Sequence, residues 1–103
     1  MFSFLNFRYF RCASRSGKWS TVRKEHLKKQ PACAACGKTS KLEVHHIKPV
    51  HKFPELELHP DNLITLCADP CHIMFGHLKY WKSWNAEVVT DCHLYYTKLK
   101  NRP

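Results

Sequence analysis

Apolar and polar positions alternate most clearly in two short stretches, "LEVHH" (residues 42–46) and "NLITLC" (residues 62–67), and each predicts a β-strand. Between them "PVHKFPELELHPDN" is broken by Pro49, Pro54 and Pro60 and predicts a long loop. Upstream, "STVRKEHLKKQP" predicts a short helix capped by Ser20 or Thr21, with a thin apolar stripe of Val22 and Leu27 and a stop at Pro31. "DPCHIMFGHLKYWKSW" predicts a helix opening near Pro70, with Ile73, Met74 and the following aromatics at helical spacing and Gly76 as a weak point. Val89, Cys92, Tyr96 and Leu99 form one apolar stripe on a final helix. Residues 1–18 show no periodicity and end near Gly17, so they read as an arm preceding a domain over 19–103. The sum is a small α+β chain.

At 103 residues the chain can bury only a modest core, and six cysteines offer a staple. Cys33 and Cys36 form a CxxC followed by the Gly37 turn, and Cys67 and Cys71 form a CxxxC downstream. Two close cysteine pairs at turns can present four thiolates tetrahedrally, the arrangement of a structural zinc site. The alternative is a disulfide framework, which belongs to secreted chains. Cys12 and Cys92 fall outside the pattern and read as buried or free thiols.

The formal charge of +9 is unevenly placed. Through Lys41 there are ten basic residues against the single acid Glu25, whereas Leu42 onward holds seven of each sign. A one-sided basic segment points to a polyanion partner, usually nucleic acid, because neutralised phosphates release counterions. A solvated basic tail without a target is the bland alternative. Arg23, Lys24, Lys28, Lys29, Lys48 and Lys52 are the candidate phosphate contacts.

The pair His45–His46 poses a geometric problem, since neighbours on a strand face opposite ways. Both can reach one site only if the strand ends or bends there, and Pro49 is consistent with such a break. Asn62 opens the second strand, and His72 directly follows Cys71. "VHHI", "PDNLITLC" and "CH" together resemble the HNH endonuclease motif in a zinc-stapled, phage-type form, over roughly Trp19 to the end. "GHLKYWKSWN" and "LKNRP" are similar to small phage members as well.

The resemblance implies a ββα-metal (His-Me finger) domain with a structural zinc knuckle and flanking helices. It implies His46 as general base, His45 and His72 as ligands of one catalytic divalent cation, and Asn62 as the residue that holds the loop and orients His46. The cation would be Mg²⁺, Mn²⁺, Ni²⁺ or Zn²⁺, alongside structural Zn²⁺ on Cys33, Cys36, Cys67 and Cys71. A histidine titrating near neutrality suits abstraction of a proton from water, and a cation suits the charge that develops on phosphate. The implied activity is metal-dependent hydrolysis of DNA phosphodiesters, with one active site nicking one strand. The phage likeness further implies a place beside a DNA-packaging terminase. The competing readings are a non-catalytic zinc-ribbon DNA-binding module and a zinc-knuckle adaptor.

His77 lies about 140° from His72 on an ideal helix, so it joins the ligands only if the helix is distorted near Gly76. His51 is a DNA-contact candidate from the loop, while His26, His59 and His93 read as surface residues. Trp81 and Trp84, three apart beside Tyr80, read as core anchors, with base stacking by the tryptophans the alternative. No stretch is apolar enough to span a membrane. The opening, interrupted by Arg8 and Arg11, makes a poor secretory signal, which favours an intracellular setting, the host cytoplasm if phage-encoded; an organelle transit segment is the alternative.

Overall fold

The computed structural model describes residues 15–103. Residues 1–14, and with them Cys12 and most of the expected arm, lie outside the described residues. Both expected strands are present. β1 (Leu42–His46) and β2 (Leu63–Cys67) pair antiparallel, in a register running from Leu42↔Cys67 to His46↔Leu63. One further bond, Ile47 N–H to the Asn62 carbonyl at 2.8 Å, extends the ladder into the loop.

A two-stranded sheet has two open edges, and here the one on β2 is covered. The Ala34 N–H donates to the Thr65 carbonyl at 2.9 Å. The Thr65 N–H donates to the Gln30 side-chain oxygen at 2.7 Å, and the Thr65 hydroxyl donates to the Gln30 carbonyl at 2.8 Å. Every residue of β2 is consequently buried, whereas β1 passes from half-buried Leu42 to buried His46.

The helix before the sheet, α1 (Trp19–Lys29), starts a residue earlier than its serine suggested. Ser20 and Thr21 sit inside it and cap nothing. Ser16 closes the entry instead, its carbonyl accepting from Trp19 N–H at 3.0 Å and its hydroxyl from Lys18 N–H at 3.1 Å. The helix ends at Lys29, ahead of Pro31, as expected. Its stripe is thin: Val22 and Leu27 are half-buried and no residue is fully buried.

The long helix expected from Pro70 does not form. The chain makes one π-turn, His72–Gly76, and then leaves helical space, with left-handed Leu78 (φ 55°) and Lys79 (φ 68°). With that helix gone, the expected core role of the aromatics fails too. Tyr80 is 60% and Trp81 61% exposed, and only Trp84 is half-buried, edge-on to Phe53.

The last helix, α2 (Val88–Lys100), is present; of its expected stripe Cys92 is buried and Leu99 half-buried, but Val88 takes the place expected for Val89. Val88 and Cys92, one turn apart, are buried, while Val89 is 52% exposed. The helix start is set by Asn85, whose side-chain amide donates to the Phe75 carbonyl and to Asp91 Oδ2 and whose oxygen accepts from Glu87 N–H. The core is small. Cys33, Cys67, Cys71 and Cys92 share it with Ala35, Ile64, Leu66 and Val88, so the cysteines lie at its centre.

Candidate metal centres and cleft

The ligand atoms of Cys33, Cys36, Cys67 and Cys71 all lie within 4.8 Å of one another. The CxxC is shaped by the turn at Gly37 (φ 81°), whose N–H donates to the Cys33 carbonyl at 2.9 Å. The second pair comes from the end of β2 and the residue before the π-turn. Cys36 and Cys67 sulfurs are 3.8 Å apart. That is about the edge of a tetrahedron with ~2.3 Å metal–sulfur bonds, and far beyond a disulfide bond of ~2.05 Å. All five described cysteines are free, which removes the disulfide framework among them. The four-thiolate set fits a structural metal such as zinc.

Burial raises the Cys33 thiol, but the backbone N–H groups of Cys36, Cys67 and Ala35 outweigh it and bring the group down to about 7. Cys36 and Cys71 are raised, first by burial. A cation is what would hold all four as thiolates. Cys92, pushed up to about 12 by burial and then by Cys33 and Asp91, stays a protonated thiol of the core.

The second cluster is made of imidazoles. Ligand atoms of His45, His72 and His77 also lie within 4.8 Å of one another. His45 Nδ1 and His72 Nε2 are 3.2 Å apart, close to the ~3.3 Å edge of a tetrahedron with metal–nitrogen bonds of ~2.0 Å. His77 joins because the turn is π and not α: with i→i+5 winding, residues five apart approach the same face. The His77 Nδ1–H donates to the Ser83 carbonyl at 2.8 Å, which leaves its Nε2 as the bare nitrogen.

His45 is 4% exposed: its Nδ1 faces His72, and its Nε2 is buried with no hydrogen-bond partner. Its ring lies against Gly76, where an added Cβ would sit 2.9 Å from Cε1. Burial lowers His45 to about 3 and His72 to about 4, the neighbouring imidazoles adding to both, and burial also lowers His77. All three rings are therefore neutral at physiological pH, the form that binds a cation. A divalent cation fits this set.

His46 stands apart from the cluster. β1 ends at His46, so both members of the pair line the same cleft. Trp19 of α1 stacks on the His46 ring at 4.6 Å. His46 Nε2 lies 2.9 Å from the Glu57 carbonyl, which can only accept, so Nε2 carries the proton and Nδ1 keeps its lone pair. Burial lowers this histidine against the raising effect of that carbonyl.

Asn62 makes no hydrogen bond to the His46 ring. Its amide donates to the Lys48 carbonyl at 3.1 Å and the Leu56 carbonyl at 3.2 Å, and its oxygen accepts from Lys48 N–H at 2.8 Å. It fastens both ends of the 48–56 loop. The Glu57 carbonyl that holds His46 follows directly, so any orientation of His46 by Asn62 is transmitted through the backbone.

His45, His46, His72 and His77 line an open cleft of about 1210 Å³, larger than the usual small-molecule pocket. Arg15, Trp19, His46 and Glu57 form part of its wall, and His72, His77, Trp81, Lys82 and Trp84 another. His51 lines it as well. Arg23, Lys24, Lys28, Lys48 and Lys52 do not: Lys24, Lys28 and Lys52 are exposed elsewhere, Arg23 bonds the Leu42 carbonyl, and Lys48 lies over Phe53. The basic cleft residues are Arg15 and Lys82. Neither carries a local sequence signal beyond its charge. Trp19 had none either.

The family model described as HNH endonuclease matches residues 33–77, from the first cysteine of the thiolate cluster to the third histidine of the imidazole cluster. The match spans less than half of the chain, a narrower span than the resemblance suggested, and it supports a nuclease-type function with DNA as the substrate such a domain implies. The two-stranded sheet, the π-turn and the cysteine cluster are consistent with the ββα-metal fold of that family. No curated protein and no solved structure matches the chain. Among the described residues no helix is long and apolar enough to cross a membrane.

Proposed function

We propose that the protein is a metal-dependent DNA endonuclease in which the cysteine cluster holds structural zinc and the histidine cluster holds the working cation. The observation that carries this is the adjacency of His45 and His46 in one cleft: the first within a three-imidazole set whose ligand atoms lie within 4.8 Å of one another, the second with its Nε2–H tied to a carbonyl and Nδ1 left as acceptor. A bound divalent cation would supply Lewis-acid neutralisation of the charge developing on the phosphate and leaving oxygen. His45, His72 and His77 would hold it, leaving positions for other oxygen ligands.

His46 then acts as general base, accepting the proton of the attacking water at Nδ1. Its Nε2–H bond to Glu57 and its stack on Trp19 fix the ring for that transfer. Asn62 is a positioning residue, acting by pinning the loop that carries the Glu57 carbonyl. Arg15 and Lys82, on the cleft walls, receive the phosphate backbone.

The described residues hold one such site, so one chain nicks a single strand as a monomer. The likeness to small phage members supports an intracellular setting and a place beside a packaging terminase. Conversion of supercoiled plasmid to the open-circular form tests the activity: nicking should need an added divalent cation and stop in EDTA. Plasmid retarded on a gel yet never nicked in any cation would instead mark a DNA-binding module.

A further inference from the structure

Trp81 exposes 61% of its surface at the wall of the cleft, with its ring centroid 4.8 Å from that of His77 and 5.3 Å from that of His72. A large indole left this open, directly against the cluster that would hold the cation, is not an anchor of the core. Nor does it hang on a loose loop. The Tyr80 N–H donates to the His77 carbonyl at 3.1 Å, Ser83 N–H to the Tyr80 carbonyl at 2.8 Å, and Asn85 N–H to the Gly76 carbonyl at 3.0 Å. The His77 ring itself holds the Ser83 carbonyl. The indole is thus set in place by the same residues that form the imidazole cluster. Lys82 and Trp84 follow along this wall and Arg15 lies in the same cleft, so an aromatic face and cations alternate where a polyanion would run.

Aromatic faces in a basic groove bind bases by stacking, whatever the sequence, provided the base face is free. In duplex DNA it is not free, because each base is covered by neighbours ~3.4 Å away. Opening a stack costs free energy, least where the nucleotide is already unpaired. We infer that Trp81 is a stacking platform for an unpaired base beside the scissile phosphate, making DNA with an unpaired nucleotide the preferred substrate class of this cleft. The place beside the scissile phosphate rests on the nuclease reading; the stacking itself is a binding property.

The test is fluorescence anisotropy without added divalent cation, on labelled oligonucleotides of one sequence presented as a single strand, as a full duplex and as a duplex with one unpaired nucleotide. The wild type should bind the two unpaired forms about tenfold more tightly than the duplex. Trp81→Ala should erase that ratio and Trp81→Phe should keep most of it. Indole quenching on binding single strands should shrink in both variants. Equal or tighter binding of the duplex by wild type, as for a wedge into stacked DNA, overturns the inference, and so does an undiminished ratio in Trp81→Ala. The plasmid assay reports on the nuclease reading separately. Binding preference without nicking sinks only the latter, and nicking without a Trp81-dependent preference sinks only the former.

Discussion

A methyl group on Gly76 would lie 2.9 Å from His45 Cε1 and 3.0 Å from its Nδ1, so the π-turn and β1 approach as closely as glycine permits. The contact seats the His45 ring opposite His72 and His77. Gly76→Ala must push that ring away. Cation affinity at the histidine cluster should fall roughly 10- to 100-fold, as when a residue supporting a metal ligand is lost. Metal content by elemental analysis after loading with zinc and desalting should show the cysteine-bound ion retained and the second ion lost. Retention of both would show that the ring is seated by something other than this contact.

Asn62 makes three hydrogen bonds to backbone while 6% exposed. Asn62→Ala leaves the Lys48 N–H and the carbonyls of Lys48 and Leu56 without these partners, a loss of about 1–3 kcal/mol in stability. Because the side chain makes no hydrogen bond to His46, activity should fall through loosening of the loop. Thermal melts paired with nicking rates measure both, and the Asn62→Ala rate should recover partly on cooling. An unchanged melt with an unchanged rate would mean that the 48–56 loop does not need this clamp.

The thiolate cluster occupies the middle of the core, so its metal and the fold should be inseparable. Cys36→Ser should lose zinc and give an unfolded or molten chain by circular dichroism. The two sites should also part company in chelators. The open cleft should give up its cation at EDTA concentrations that leave the buried set loaded, so that activity disappears before the melt changes. A folded Cys36→Ser protein without zinc would contradict this division.

Much of this molecule was legible in the sequence, and the residues show why. β1 and β2 were readable because alternation reflects the sheet's own two-residue period, and the cysteine pairs because tetrahedral coordination dictates close spacing. The helix after Cys71 was misread because Ile73, Met74 and the aromatics fit a helical period locally. Only tertiary contacts reveal that His45 occupies the space beside Gly76 and that the chain turns left-handed at Leu78. The same error placed Trp81 in the core. On α2, Val88 is buried in place of Val89, a choice of face that no local pattern announces. Arg15, Trp19 and Lys82 reach the cleft from segments distant in sequence, and charge or aromatic character alone does not say where a side chain ends up.

The central claim is that His46, beside the histidine cluster, acts as the base for DNA hydrolysis. Its most direct test is the nicking rate of supercoiled plasmid by wild type and His46→Ala, each with Mg²⁺, Mn²⁺, Ni²⁺ or Zn²⁺ added in turn. The wild type should nick in at least one cation, and His46→Ala should be slower by roughly 10²–10⁴ while keeping its zinc, its fold and its DNA affinity. Equal nicking by the two proteins would contradict the assignment of the base, and absence of nicking by wild type in every cation would contradict the endonuclease itself.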